Sequence, residues 1–191
     1  MRPIRWAGAV LMLAAVAARA QEVKPKSTVT LFANLGYESN VSAFSDSLQG
    51  LDRTGPVASV RVMWHPQFLL SFGWEVGYTR RFSVKQVGDS TIDQTSGAWP
   101  IFFVLSMSPV KRMLVNVGIG PVFSTTSVNA LGVTAKSYTG FSSGYMASVA
   151  YLAPVSKKFD MGGEFRFLHS DLYNDNLLSL QLTVAYRLSG K

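Results

Sequence analysis

Apolar and polar residues alternate with a period of two along much of the chain after residue 27. The alternation is clearest in residues 68–81, where one face holds Phe68, Leu70, Phe72, Trp74, Val76 and Tyr78. The other face holds Ser71, Gly73, Glu75, Gly77, Thr79 and Arg81. An amphipathic helix repeats every roughly 3.6 residues instead, and a strand buried on both faces is apolar throughout. The pattern therefore predicts β-strands with one apolar and one polar face.

Seven other segments extend this prediction to eight strands. Residues 28–37 and 177–188 alternate clearly, with Phe32 as an exception in the first. The remaining segments are residues 57–65, 99–107, 113–123, 141–151 and 159–169. Residues 99–107 are apolar on both faces, so their pattern does not say which face points inward. A tilted membrane strand needs about 9–11 residues, which fits these lengths.

The connections between the predicted strands alternate in length. Residues 39–55, 83–96 and 124–139 are long, residues 66–67, 108–111 and 153–158 are short, and residues 170–176 are intermediate. Bacterial outer-membrane barrels have short periplasmic turns, longer outer loops and an even number of strands. The chain is therefore predicted to be all-β, an eight-stranded antiparallel up-and-down transmembrane β-barrel with both chain ends in the periplasm.

Aromatic residues cluster near the two predicted ends of the strands, as they do at membrane interfaces. The predicted aromatic girdle is Trp64, Phe68, Tyr78, Trp99, Phe123, Phe141 and Tyr186. The alternative is a soluble barrel, whose apolar face would point inward and whose outside would be charged. Here the polar face consists mostly of Gly, Ser and Thr, which suits a narrow lumen better than a solvated exterior.

The first twenty residues have the layout of a cleaved secretory signal peptide. Arg2 and Arg5 precede an apolar run from residue 6 to residue 16, and Ala18-Arg19-Ala20 offers a small-x-small cleavage site. The alternative is a membrane anchor, but the apolar run is too short to span about 30 Å comfortably. We expect the mature barrel domain to comprise residues 21–191.

Composition limits the remaining function classes. Charged residues make up 15% of the chain, against about 25% in a soluble domain. The chain has no cysteine, so it can form neither a disulfide nor a thiolate metal site. Its net charge of +7 falls to about +4 without Arg2, Arg5 and Arg19, and no basic run remains. We therefore expect no nucleic-acid partner, no metal and no cofactor.

The polar face also carries charged residues that would lie inside the barrel: Arg61, Glu75, Glu164, Arg166 and Arg187. An eight-stranded interior is just wide enough to be filled by side chains. Isolated charges there are unfavourable, whereas paired and hydrogen-bonded charges are tolerated. The prediction is an internal ion-pair network that plugs the lumen. The alternative is a narrow polar channel or transporter for small solutes.

The last hairpin is the most specific part of a family resemblance. Residues 163–170, Gly-Glu-Phe-Arg-Phe-Leu-His-Ser, lead into the strand at residues 177–188. With the eight-strand pattern, this resembles the OmpA/OmpX-like family of small outer-membrane β-barrels. The resemblance implies an integral outer-membrane protein without obligatory catalysis. Its partners would be outer-membrane lipid or lipopolysaccharide and the barrel-assembly machinery. The chain ends Tyr-Arg-Leu-Ser-Gly-Lys and so lacks the terminal aromatic residue common in that family.

His169 and Ser170 raise an enzymatic alternative, because the hairpin is also similar to that of lipid A deacylase barrels. Those enzymes use a His, a Ser two residues further on and a Glu. Here Ser170 directly follows His169, and adjacent side chains of a strand point to opposite faces. We therefore predict no catalytic site. The acidic residues Asp46, Asp52, Asp89, Asp93, Asp171 and Asp175 are interpreted as solvated loop residues. The alternative is that they bind divalent cations or lipopolysaccharide, for which the sequence has no specific motif. The expected role is structural, in surface interaction or in membrane integrity, with an extracellular ligand that the sequence does not identify.

Overall fold

The computed structural model describes residues 28–42, 51–66, 69–86, 92–130, 133–171 and 174–188. The predicted signal peptide, residues 1–20, lies outside the described residues. In the part of the chain that is described, no helix is long and apolar enough to cross a membrane.

The described chain consists of antiparallel strands joined by turns. The strands are β1 Thr28–Asn40, β2 Leu51–Asp52, β3 Thr54–His65, β4 Leu70–Gln86, β5 Ile92–Met107, β6 Met113–Ala130, β7 Val133–Pro154, β8 Phe159–Ser170 and β9 Asp175–Leu188. Strand β2 is a two-residue addition to the edge of β4, and the other eight strands form the wall. The eight predicted strands are thus all present.

The wall closes on itself into a barrel. Consecutive strands pair antiparallel, β1 pairs with both β3 and β9, and the pairing of β4 with β5 completes the circle. Closure leaves no edge strand within the barrel, which is the condition for a sheet to cross a bilayer. The predicted all-β fold, an eight-stranded antiparallel up-and-down barrel, is confirmed.

Period-two alternation sorts side chains between the two faces of this wall. On β3, Val60 and Val62 point outward and are 51% and 46% exposed, while Arg61 and Met63 between them are 1% exposed. A soluble barrel would place its aliphatic residues inside and its charged residues outside. The inverted arrangement is the one expected of a barrel surrounded by lipid.

The barrel has two unlike ends. At one end, which we call the terminal end, β1 begins at Thr28 and β9 ends at Leu188. The tight turns at residues 108–112 and 155–158 lie at the same end. The loop end lies opposite and carries the connections after β1, β4, β6 and β8. The short turns therefore share one end, as the rhythm of connection lengths predicts.

Two of the predicted long loops are largely strand, which corrects the sequence analysis. Within residues 83–96, β4 runs to Gln86 and β5 starts at Ile92. Within residues 124–139, β6 runs to Ala130 and β7 starts at Val133. These residues are Ser- and Thr-rich on both faces, so they show no period-two pattern, yet their backbones pair in long ladders. We call residues 80–86, 92–97, 124–130 and 133–143 the extension.

The extension rises from one side of the barrel only. The ladder between β7 and β8 starts at the pair Gly144–Ser170, whereas the ladder between β6 and β7 continues to Ala130–Val133. β7 continues for 11 residues from Gly144 to Val133, and at about 3.4 Å per residue these residues span about 37 Å along the strand. The strands β8, β9, β1 and β3 form a lower wall opposite it.

An apolar cluster fills one part of the interior. It includes Phe102 and Val104 of β5, Val122 of β6 and Met146 of β7, which are all at most 2% exposed. This answers the question that the sequence left open for β5, because Phe102 and Val104 face inward while Trp99 and Leu105 face outward. Phe32, the exception to the alternation in β1, also points inward and joins this cluster.

Candidate functional site

Four charged side chains meet in the middle of the barrel. Arg61 on β3 and Glu75 on β4 are direct partners in the strand register, and Arg61 Nε donates to Glu75 Oε2 at 2.5 Å. Arg61 also reaches across the lumen to β8, where its terminal nitrogen lies 2.7 Å from Glu164 Oε1. One guanidinium therefore links strands that are distant in the sequence.

Arg166 completes the cluster from the other side. Its guanidinium contacts Glu75 Oε1 at 2.6 Å and Glu164 Oε1 at 3.0 Å. Each arginine thus contacts both glutamates, and each of the four side chains is at most 3% exposed. We call Arg61, Glu75, Glu164 and Arg166 the central cluster. Its charges balance, and multiple charge-assisted hydrogen bonds offset the unfavourable removal of these ions from water.

Arg187 does not join the central cluster, contrary to the sequence prediction. Its guanidinium pairs with Asp160 at the terminal end, and its side chain is 49% exposed. Alternation correctly puts Arg187 on the inner side of β9, but it says nothing about height along the barrel axis. Arg187 lies one residue from the end of its strand, so its side chain is at the mouth rather than in the middle.

A second buried cluster lies nearer the loop end and was missed by the sequence analysis. Arg81 of β4 lies 3.0 Å from Asp175 of β9 and donates to Ser170 Oγ at 2.7 Å. The side-chain amide of Asn40 donates to Asp175 at 3.3 Å. Arg81 lies on the same inward face of β4 as Glu75. The two-residue alternation alone would therefore have placed Arg81 inside the barrel. Asp175 was interpreted as a loop residue because the predicted strand began two residues later.

The apolar cluster and the central cluster are packed against each other. Phe32 lies beneath Arg61, with the guanidinium carbon 5.6 Å from the ring centroid, a cation–π arrangement. Gly144 gives Phe102 and Val122 their space, because a Cβ there would fall 2.7 Å from Val122 and 2.8 Å from the His169 carbonyl oxygen. Charged and apolar side chains together occupy the middle of the lumen.

His169 and Ser170 lie on opposite faces of β8, as strand geometry predicts. Ser170 points inward to Arg81 and is fully buried. The His169 ring stacks on Tyr145 at a centroid distance of 4.7 Å, and its Nδ1 lies 2.9 Å from the side-chain oxygen of Asn176. A base must be within hydrogen-bond reach of the nucleophile that it activates. The structure therefore does not form the His–Ser arrangement that the enzymatic alternative requires.

The girdle residues that the structure describes lie on the outer surface near the two ends. At the loop end, Tyr78 packs on Trp99 with centroids 5.0 Å apart, and Phe123 packs on Phe141 at 5.4 Å. At the terminal end, Trp64 contacts Phe72 at 4.8 Å and Tyr186 contacts Phe159 at 4.8 Å. Phe68 lies outside the described residues.

The acidic residues predicted for the loops have different environments. Asp46 and Asp89 lie outside the described residues. Asp52 accepts hydrogen bonds from the Thr54 backbone and hydroxyl at 3.0 and 2.8 Å, which hold its pKa below the usual range. Asp175 is buried, as described above. Throughout the described ranges, no three His, Asp or Glu side chains are grouped so that they could hold a metal ion.

Several solved structures share this architecture. A major outer membrane protein from Thermus thermophilus matches with a TM-score of 0.58 at 11% identity, over 86% of this chain and 100% of that one. Neisserial surface protein A, from Neisseria, matches with a TM-score of 0.53 at 16% identity, over 86% of this chain and 100% of that one. Ail, the attachment invasion locus protein of Yersinia pestis, solved with the heparin analogue sucrose octasulfate, gives 0.53 at 11% identity, over 85% and 97%.

No protein-family model and no curated protein sequence matches the chain. The class that the structure defines is therefore one of fold: the chain is a small eight-stranded barrel of the outer-membrane type. The resemblance to the OmpA/OmpX-like barrels that the last hairpin suggested is confirmed at this level.

Proposed function

We propose that the protein is an integral outer-membrane barrel that acts through surface interactions at its loop end. The observation that carries this proposal is the extension, a four-stranded sheet that continues beyond the rim on one side. Its side chains at Ser137, Tyr138 and Thr139 are exposed. A barrel that served only as a structural element of the membrane would not need paired strands beyond it.

The filled interior supports this proposal over the channel alternative. The central cluster and the apolar cluster lie against each other in a lumen that has little room for water, because Arg61 is the register partner of Phe32 and Glu75 that of Phe102. The outer surface is suited to a bilayer, since Leu35, Trp74, Ile119 and Leu180 are all more than half exposed. In this proposal the loop end faces the outside of the cell and the terminal end faces the periplasm.

The first experiment tests location and orientation. The full chain, with its first twenty residues, is expressed in a Gram-negative host with an epitope tag between residues 131 and 132 or, as a matched control, after Lys157. We expect both variants to remain in the outer membrane after carbonate extraction and to migrate differently on a gel with and without boiling. Antibody should label only the first variant on intact cells. Labelling of the second variant alone would show that the orientation is inverted.

The second experiment separates surface interaction from a role in membrane integrity. Residues 127–137 are removed and Thr126 is joined to Tyr138, its register partner, by Asn-Gly, a sequence that favours a two-residue hairpin turn. At equal abundance in the membrane, the shortened barrel should lose wild-type effects on cell settling and surface adherence, while detergent and antibiotic sensitivity stay unchanged. Unchanged adherence with altered sensitivity would favour the integrity role instead.

Planar-bilayer recordings test the channel alternative directly. We expect purified wild-type protein to give negligible conductance, because the central cluster and the apolar cluster occupy the lumen. Steady, ion-selective currents that change in selectivity with Glu164→Gln, at unchanged folding stability, would contradict the proposal and establish a narrow channel.

A further inference from the structure

The terminal end of the barrel opens into a cavity of about 460 Å³. We call it the vestibule. Its apolar side includes Phe32, Leu114, Leu152 and Ala185. Ligand cavities in proteins are concave and mostly apolar, with a few polar groups that orient the ligand, and this volume lies within their usual range of roughly 300–1,000 Å³.

The vestibule is blind. Phe32 lines it, and the same ring packs against the Arg61 guanidinium of the central cluster at 5.6 Å. None of the four residues of the central cluster lines the vestibule. A molecule that enters from the terminal end therefore meets an apolar floor, with the ion pairs beyond it. The vestibule has the geometry of a binding site rather than the entrance of a conduit.

Positive charge surrounds this apolar floor. Lys111, Arg112 and Arg187 line the vestibule, and Asp160 is the acidic residue among its lining residues. Asp160 is already paired with Arg187. Among the residues that the structure describes, no carboxylate forms an ion pair with Lys111 or Arg112. Within the described part of the chain, Lys111 and Arg112 therefore border the cavity without an acidic ion-pair partner.

The backbone conformation at Arg112 is a second indication that the vestibule is a binding site. Its φ is 73°, in the left-handed region that a non-glycine residue seldom adopts. The turn that holds it is well fixed. The single Ser108 hydroxyl lies within hydrogen-bond distance of two carbonyl oxygens, that of Met113 at 2.9 Å and that of Val110 at 3.1 Å, and the Leu152 amide donates to the Arg112 carbonyl oxygen at 2.8 Å. Glycine would fit this conformation without strain. Instead this position is occupied by Arg112, one of the residues that line the vestibule.

We propose that the vestibule binds a small anion that carries an apolar group, with its phosphate or carboxylate on Lys111 and Arg112 and its apolar part against Leu114 and Leu152. Lysine and arginine form charge-assisted hydrogen bonds to both kinds of anion. The apolar floor removes the rest of the ligand from water. The proposal concerns the opposite end of the barrel from the extension and does not depend on the surface role proposed above.

The test uses the mature full-length barrel in phosphatidylcholine nanodiscs, with phenyl phosphate as the probe. Methyl resonances of Leu114 and Leu152 report binding. We expect a saturable shift with phenyl phosphate and weaker binding of both inorganic phosphate, which lacks the apolar part, and benzyl alcohol, which lacks the charge. Absence of a saturable shift at these two residues would overturn the proposal.

Variants locate the anion. Arg112→Gly combined with Lys111→Gln should weaken phenyl phosphate binding by about tenfold or more, the loss expected from removing charged hydrogen-bond partners. Since glycine suits the backbone at this position, the variant should keep the wild-type unfolding midpoint. Lys157→Gln with Lys158→Gln, the same change of charge on a neighbouring turn outside the vestibule, should alter affinity by less than about twofold, as expected for screened surface charges. If both double variants lost the same affinity for phenyl phosphate, the net charge of the barrel end would explain the effect, and the proposed site would be refuted.

A final arm distinguishes the source of the anion. Nanodiscs that contain phosphatidylglycerol will shift the same methyl groups without probe, and lower the affinity for phenyl phosphate, if a lipid headgroup occupies the site. Unchanged spectra and unchanged probe affinity would support a soluble ligand. Both results retain the vestibule as an anion site and assign its occupant.

Discussion

The barrel interior is filled in two different ways. The central cluster fills it with two arginines and two glutamates, and the apolar cluster fills it with side chains such as Phe102, Val104 and Met146. Both regions are almost fully buried, so their difference is one of chemistry rather than depth. A buried charge destabilises the fold strongly as soon as its partner is removed. Apolar packing instead weakens gradually as atoms are moved or removed. The two regions should therefore respond very differently to changes of similar size.

The largest effect is expected from a nearly isosteric change in the central cluster. Glu164→Gln removes one negative charge while Arg61 and Arg166 remain, so the buried cluster becomes net positive. The free energy of unfolding should fall by about 3–5 kcal/mol, the range for an uncompensated buried charge. Guanidinium titration in detergent micelles, followed by heat-modifiable migration, measures this change.

The control restores the charge balance. Glu164→Gln with Arg166→Gln leaves Arg61 paired with Glu75, so this double variant should be more stable than the sum of the two single effects predicts. A coupling of roughly 0.5–3 kcal/mol is typical of residues in one network. Strict additivity of the two substitutions would show that the four side chains do not act together.

The next effect tests whether the apolar cluster is tightly packed. Gly144→Ala places a methyl group 2.7 Å from Val122, and overpacking of this kind typically costs about 1–3 kcal/mol. Gly163→Ala is the matched control, because the nearest atom to its added Cβ is the Gln181 carbonyl oxygen at 3.8 Å. The same titration should separate the two alanine variants, and equal stability would mean that the cluster adjusts freely.

A smaller effect is expected where volume and polarity in the apolar cluster are preserved. Met146→Leu exchanges two apolar side chains of similar size in a residue that is 2% exposed. Such exchanges usually cost less than about 1.5 kcal/mol. If this variant were destabilised as much as Glu164→Gln, the contrast between charged and apolar filling would not hold.

The smallest effect is expected for an ion pair outside the barrel interior. Arg80 and Asp52 lie 3.3 Å apart at the loop end, with side chains 32% and 50% exposed. Water and salt screen such a pair, and many surface pairs make no measurable contribution to stability. Arg80→Gln should therefore leave the unfolding midpoint unchanged within error. A shift comparable to that of Glu164→Gln would show that pairing, and not burial, sets the size of the effect.

The strand count and the inward or outward direction of most side chains were predictable from alternation. Trp74 and Glu75 show why: consecutive residues of a strand face opposite sides, so one signal places both. Alternation failed where a strand met apolar surroundings on both faces, as at Phe102, or where a single aromatic residue such as Phe32 pointed inward. Those positions depend on what lies across the lumen, which is information about other strands.

Height along the barrel axis was the other quantity that the sequence did not provide. The alternation places Arg61, Arg81 and Arg187 on the inward faces of their strands. Arg61 nevertheless lies in the centre of the barrel, Arg81 towards the loop end and Arg187 at the mouth of the terminal end. Height depends on register between neighbouring strands and on where each strand ends. The true ends of β4 to β7 were not visible because Ser- and Thr-rich strands in the extension pair without an apolar face.

The reach of Arg61 has a consequence for how the barrel assembles. Its partners Glu75 and Glu164 lie 14 and 103 residues further along the chain. While the sheet is still open, β8 is not in place, so Arg61 and Glu75 face each other and Glu164 and Arg166 have not met their partners across the lumen. A partly assembled sheet would therefore expose these four charged side chains within the bilayer before their contacts across the lumen have formed, and charged groups are strongly disfavoured there. Insertion and closure should accordingly occur as one cooperative step, and an open intermediate should persist longer when the central cluster is made neutral.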